Sequence, residues 1–387
     1  MCPQDTIMTC NTLTETEMRP KMIIVASIAL LVGTATLFVA LSDSYAARVT
    51  KAMILRPIAQ HYNAQTLRMT APDGIVEEQF VEIGGIEHWM TIRGENRSNP
   101  VLVFLHGGPG SGHTMFNPLT QPWERYFTIV QYDQRGASKT FRRNGAQLQS
   151  GELSFAQLEL DALEAVEYVR ARLGADKVIL VASSVGSIVG LSLARNHPEL
   201  FHAYVGTDQN VGGDAFGESW RITLDWLTQY GPDKGVRALE EMGSNPAQWS
   251  LAQYAALNHW TIEANPKIPD MVMDVVFPAL MTSPSHTMAD IQDVQSAMEA
   301  SMGQLYPELV AFDAYALGTE FDIPFFILQG DTDGITPTTS AKAYFEAVNA
   351  PHKEFVTIGQ AGHLAAFTRP DQFLDELVSR VRPFAIK

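Results

Sequence analysis

The strongest constraint on the fold of this chain is a series of short, almost wholly apolar runs that alternate with turns and helical stretches. They read VLVFL at 101–105, FTIVQYD at 127–133, VILVA at 178–182, AYVGT at 203–207 and PFFILQG at 324–330. Strands so continuously apolar are covered on both faces, as in a parallel sheet. The stretch FAQLELDALEAVEYVRARLG at 155–174 sets Phe155, Leu158, Ala162, Val166, Val169 and Leu173 on one helical face and stops at Gly174. A second helix, SIVGLSLARNHPEL, follows VILVA. This alternation predicts an α/β fold with a mostly parallel sheet and helices on both faces.

Two further runs, VEEQFVEI and IEHWMTIRG, flank Gly84-Gly85 and predict a hairpin, and EFVTIG at 354–359 predicts a last strand. A helix is expected between 330 and 354 and another near 370–382. From 208 to 320 no buried strand is visible, and segments such as SWRITLDWLTQY and AQYAALNHW have helical spacing. The expected organisation is a sheet domain in two parts, 75–207 and 321–387, interrupted by a helical cap at 208–320. Arg221, Lys234, Arg237 and Lys267 are the only Lys or Arg of that cap, so most of the net charge of −16 lies there. That charge argues against a nucleic-acid partner, which needs a basic surface.

Residues 22–42, MIIVASIALLVGTATLFVALS, carry no charge and are flanked by Arg19, Lys21 and Asp43. A helix of roughly 20 apolar residues crosses a bilayer, so an N-terminal transmembrane helix is expected, behind a cytoplasmic segment at 1–21. It is read as a retained signal anchor in preference to a signal peptide cleaved near Ala46, because secretory apolar regions are shorter. Arg19 and Lys21 then stay in the cytoplasm, and the rest of the chain faces the periplasm or the cell exterior; cleavage would instead release it as a secreted protein. Residues 43–74 read as a juxtamembrane connector that Pro57 kinks or ends. Cys2 and Cys10, the only cysteines, precede the span, which leaves no disulfide framework beyond it.

The chemistry gathers where strands end. HGGPG at 106–110 follows VLVFL, and a glycine-rich turn there can aim bare N–H groups at one point. VILVA runs into Ser183-Ser184-Val185-Gly186-Ser187 and directly into a helix, the sharp turn that exposes a nucleophilic serine. Ser184 is the candidate nucleophile. Ser183 is weaker, since its +2 residue is Val185, and Ala182 stands where the G-x-S-x-G pattern has its first glycine. The serine needs a base and the base a carboxylate, in the order Ser, Asp, His along such a fold. GDTDGITP offers Asp333, preferred, and Asp331, read as capping the turn; GQAGHLAAF offers His363 as the base. His106 reads as structural, and Asp133 with Arg135 as an ion pair bracing the glycine loop.

The segments HGGPG, YDQRGASKT, ASSVGS, QGDTDGITP and GQAGHLAAF together resemble the α/β-hydrolase superfamily, and within it the proline iminopeptidase-like serine peptidases. The resemblance covers about 75–207 and 321–387 and is weak in the cap. It implies Ser184, Asp333 and His363 as a catalytic triad, with the N–H groups of Gly108 and Val185 as the oxyanion hole. Ser138 and Thr140 stand where the family continues DQRG with a glycine and a serine. The resemblance also implies cap carboxylates that bind a substrate's free α-ammonium, for which Glu218, Glu240, Glu241 and Glu263 are candidates. The expected activity is an aminopeptidase that releases an N-terminal residue, proline among the options, from short peptides. The alternatives are an esterase or amidase for small molecules with the same triad, and a membrane-tethered binding protein without chemistry. No metal site and no cofactor are expected, since no HExxH or dinucleotide fingerprint is visible.

Overall fold

The structure, a computed structural model, describes residues 44–150, 153–266 and 271–386, and of residues 146–150 the backbone only. The uncharged run at 22–42 lies outside them. Among the described residues no helix is long and apolar enough to cross a membrane. The chain divides into two units, 1–59 and 60–387. A helix at Tyr45–Thr66 runs past Pro57, which was expected to kink or end it. One proline removes a single intrahelical bond, and the turn beyond it is held from its side chains. Gln60 donates to the carbonyls of Ser283 and His286, and Asn63 to that of Thr282.

The second unit is built on an eight-stranded sheet: β1 Ile75–Ile83, β2 Ile86–Gly94, β3 Val101–Leu105, β4 Thr128–Tyr132, β5 Val178–Ser183, β6 Phe201–Thr207, β7 Phe325–Gly330 and β8 Lys353–Ile358. Their order is β1-β2-β4-β3-β5-β6-β7-β8. The first two strands pair antiparallel through the Gly84-Gly85 turn, where both residues have positive φ, and β2 joins β4 antiparallel. All other pairings are parallel. The strands thus fall on the runs expected from the sequence, because alternation of β3 side chains buries both faces. Val101, Val103 and Leu105 join one apolar cluster, Leu102 and Phe104 the other.

The helix Phe155–Leu173 packs Leu158, Ala162, Val166 and Val169 into the first cluster. Ser154 caps its start and Gly174, at φ +65°, its end. The helix after β5 stops at Asn196, before the residue preceding Pro198, and a 3-10 turn at Pro198–Leu200 replaces the last turn expected there. Between β6 and β7 the described residues form helices at Ala215–Tyr230, Asp233–Met242, Leu251–Ala264, Phe277–Thr282 and Met288–Ala311, and no named strand. Phe216, Leu227, Trp249, Tyr254, Leu257 and Trp260 of this segment cluster on Val185 and Ile188 of the sheet domain. The helical segment is therefore seated at the C-terminal end of β5, where the candidate nucleophile lies.

Candidate active site

The glycine loop is shaped by contacts that no side chain could share. A Cβ on Gly107 would lie 2.6 Å from Ser184 Cβ, and one on Gly110 would lie 2.6 Å from the Ala297 carbonyl oxygen. Gly108 has φ +116°, in the left-handed region that favours glycine. The loop thus presses on Ser184 from one side and receives the helix Met288–Ala311 on the other. Gly107 was not singled out in the sequence, although the motif contains it.

The bracing of this loop differs from expectation. Arg135 pairs with Asp161 of the helix Phe155–Leu173 at 2.6 Å, and not with Asp133. Asp161 is buried on the inward helix face, where a carboxylate without a partner is costly. Asp133 accepts instead from Thr114 Oγ1 and the Lys139 N–H, and burial pushes it up to about 7. The brace runs through Gln134, whose N–H donates to His106 Nε2 at 2.9 Å and whose side chain donates to the His106 carbonyl at 2.7 Å. Burial lowers His106 to about 4, which keeps the ring neutral and Nε2 an acceptor. His106 is structural, as its position in the motif suggested.

The departures from the family pattern have local explanations. Ala182 fits because Gly190, across the packed helix, leaves room: a Cβ there would lie 2.5 Å from the Ala182 methyl. Ser138 holds φ +42° where the family has glycine, and its N–H donates to the Gly110 carbonyl. Thr140 is fully buried, donating to the Asp133 carbonyl and accepting from the Trp89 N–H.

Ser184 sits between β5 and its helix at φ +53°, the strained turn that lifts a side chain off the sheet edge. Gly186 permits the tight return, since a Cβ there would be 2.3 Å from the His106 carbonyl oxygen. His363 Nε2 lies 3.0 Å from Ser184 Oγ, and His363 Nδ1 lies 3.0 Å from Asp333 Oδ2. Asp333 is held by Gln329 Nε2, Thr336 Oγ1 and the N–H groups of Ile335 and Thr336. The three side chains, 149 and 30 residues apart in sequence, form one hydrogen-bonded line. Ser183 points elsewhere and donates to Asp208 at 2.8 Å. Asp331 accepts from the Ala361 N–H and so holds the loop before His363, where the sequence suggested a cap on its own turn.

Burial alone would lower the His363 imidazole, but the charge and hydrogen bond of Asp333, with the charge of Asp208, outweigh it and raise the group to about 9. Asp208, Asp333 and His363 have atoms within 4.8 Å of one another, a spacing that could hold a metal ion. Both His363 nitrogens are already in hydrogen-bonding contact with Ser184 and Asp333, so the cluster reads as a proton-handling network.

Beside His363 is a cleft with a free volume of about 20 Å³, room for one water molecule. Gly334 and Ile335 line it from the sheet domain, and Thr261, Ile262, Asn265 and Met271 from the helical segment. None of the four expected ammonium ligands does so. Glu218 accepts from the hydroxyls of Thr339 and Ser340 and lies 3.6 Å from Arg221. Glu263 lies 3.2 Å from His259 on the helix surface, and Glu240 and Glu241 are exposed. Their helices turn these faces to other partners, which spacing along one helix cannot reveal.

Residues 100–370 match the model of the alpha/beta hydrolase fold family. The chain belongs to that family. Among its curated relatives, a probable aminopeptidase of Bacillus subtilis is 22% identical over 317 residues, covering 78% of this chain and 95% of the relative. A proline iminopeptidase of Lactobacillus delbrueckii subsp. bulgaricus is 24% identical over 310 residues, covering 79% of this chain and 97% of the relative. A thermophilic esterase from Thermogutta terrifontis has a similar solved structure, with a TM-score of 0.53, 18% identity and coverage of 80% of this chain and all of that one. This hydrolase is thus proline iminopeptidase-like in sequence along nearly the whole length of these two relatives, while the esterase shares its fold.

Proposed function

We propose that this chain is a serine hydrolase working through an acyl-enzyme. His363 takes the Ser184 proton, the oxygen attacks a carbonyl carbon, and the N–H groups of Gly108 and Val185 receive the oxyanion. His363 then protonates the leaving group, and water, activated by the same imidazole, releases the acid. The observation that carries this reading is the 3.0 Å contact between Ser184 Oγ and His363 Nε2, continued at 3.0 Å to Asp333. As a base, His363 must be neutral, and its raised value means that it loses its proton only near pH 9. The rate of fluorophosphonate labelling is therefore expected to climb with pH and level off above about 9. A midpoint at or below 6.5, the ordinary histidine value, refutes the charge coupling behind that expectation.

The substrate class proposed first is a peptide or aminoacyl amide with a free N-terminus, supported by the names of the curated relatives. A second reading, hydrolysis of small neutral esters or amides, is favoured by the engagement of the candidate ammonium ligands elsewhere, Glu218 with Thr339 and Ser340 and Glu263 with His259. One measurement separates the two. The purified full-length chain is offered aminoacyl arylamides with the amine free or acetylated, next to simple aryl esters. Peptidase action predicts a loss of about 100-fold in kcat/KM on acetylation, the cost of an unpaired charge in a binding site. Equal turnover of both forms supports the esterase reading instead.

A further inference from the structure

Asp208 plays no part in the expectations drawn from the sequence, yet it meets both halves of the site. It follows β6 directly, is fully buried and holds φ +51°, a conformation that non-glycine residues adopt rarely. Its Oδ2 accepts from Ser183 Oγ at 2.8 Å, one residue before Ser184. Its Oδ1 accepts from the Ala365 N–H at 3.1 Å, two residues after His363. The preceding residue, Thr207, accepts the Ser184 N–H at its carbonyl, at 3.2 Å. The next residue, Gln209, donates its N–H to Gln329 Oε1, and Gln329 Nε2 donates to Asp333. One turn therefore ties together the segments that carry all three members of the hydrogen-bonded line.

We propose that Asp208 is a positioning residue with two tasks: it clamps the serine turn to the histidine loop, and it supplies a second negative charge to the His363 imidazolium. The inference rests on the reading of Ser184 as nucleophile and His363 as its base. Asp208 and Asp333 each bring a carboxylate oxygen within 4.8 Å of a His363 ring nitrogen. The charged and titratable groups that influence the ring are these two aspartates and, from the loop after the glycine turn, His113, which burial keeps neutral. A buried carboxylate that accepts from one hydroxyl and one backbone N–H is fixed in place by them, and its charge reaches the ring without a direct hydrogen bond to it. Burial raises Asp208 to about 6, against the opposing pull of His363, so the carboxylate is ionised over the range in which His363 would act as a base.

The test is the rate of fluorophosphonate labelling across pH in the full chain. Asp208→Asn keeps the shape and an acceptor for Ala365 but removes the charge. It is expected to lower the plateau rate about three- to tenfold and to move the midpoint down by roughly half to one pH unit. Ser183→Ala leaves the charge in place and releases one end of the clamp, so it lowers the plateau and leaves the midpoint unchanged. An Asp208→Asn protein with the wild-type midpoint overturns the proposal, because a purely structural carboxylate would change rate or thermal stability and not the titration of the histidine. If Asp208→Asn does not fold, a wild-type plateau in Ser183→Ala overturns the clamp. A wild-type chain that does not label at all refutes the serine-hydrolase reading itself, which is a separate result.

Discussion

Ser184→Ala is expected to abolish covalent capture of a fluorophosphonate and to cut hydrolysis by about 10⁶-fold, the scale set when the nucleophile of a Ser-His-Asp unit is removed. Ser183→Ala should still be labelled. The two serines are adjacent on one turn, but only Ser184 Oγ lies 3.0 Å from His363 Nε2, whereas Ser183 Oγ donates to Asp208. Mass spectrometry of the labelled peptide decides the point. Adduct on Ser183, or none in the wild-type chain, sinks the assignment, and the second outcome favours a binding protein on a hydrolase scaffold.

The second large effect concerns the carboxylate. Asp333→Asn is expected to reduce kcat/KM about 10⁴-fold with little change in KM, because an amide cannot hold the imidazole in the tautomer that accepts from serine. Asp331→Asn should stay within about threefold of the wild type, since an amide oxygen can still accept the Ala361 N–H. Labelling kinetics or turnover on the best substrate checks both. Comparable losses from the two variants would falsify the choice of Asp333. Retention of more than a tenth of the activity by Asp333→Asn would transfer the orienting task to Asp208, the other carboxylate close to the ring.

Much of the framework could be read from local pattern. Strands such as 101–105 and 178–183 are continuous apolar runs, and the helix at 155–173 advertises both its face and its glycine stop. These signals are local because backbone hydrogen bonding and burial periodicity operate over a few residues. Pairings across the fold were not legible. Arg135 was expected to find Asp133, two residues away, and instead finds Asp161 on a helix packed against the sheet. Glu218 was expected at the substrate and is engaged by Thr339 and Ser340. In each case the partner is chosen by which elements become neighbours, a quantity that spacing in sequence does not carry.

The glycine loop and the serine turn show where the division falls. By itself the sequence determined the class of fold and the positions along the chain where chemistry could sit, because glycine, serine, aspartate and histidine at strand ends obey short-range stereochemistry. Only the tertiary structure decided which of these residues meet. The parallel order β3-β5-β6-β7-β8 brings five strand ends to one edge and draws residues 184, 333 and 363 into a single line, with Asp208 close to Asp333 and His363. The physical reason is that a parallel sheet points the C-terminal ends of its strands the same way. Residues far apart along the chain then share one small volume, where burial and mutual charge set their protonation.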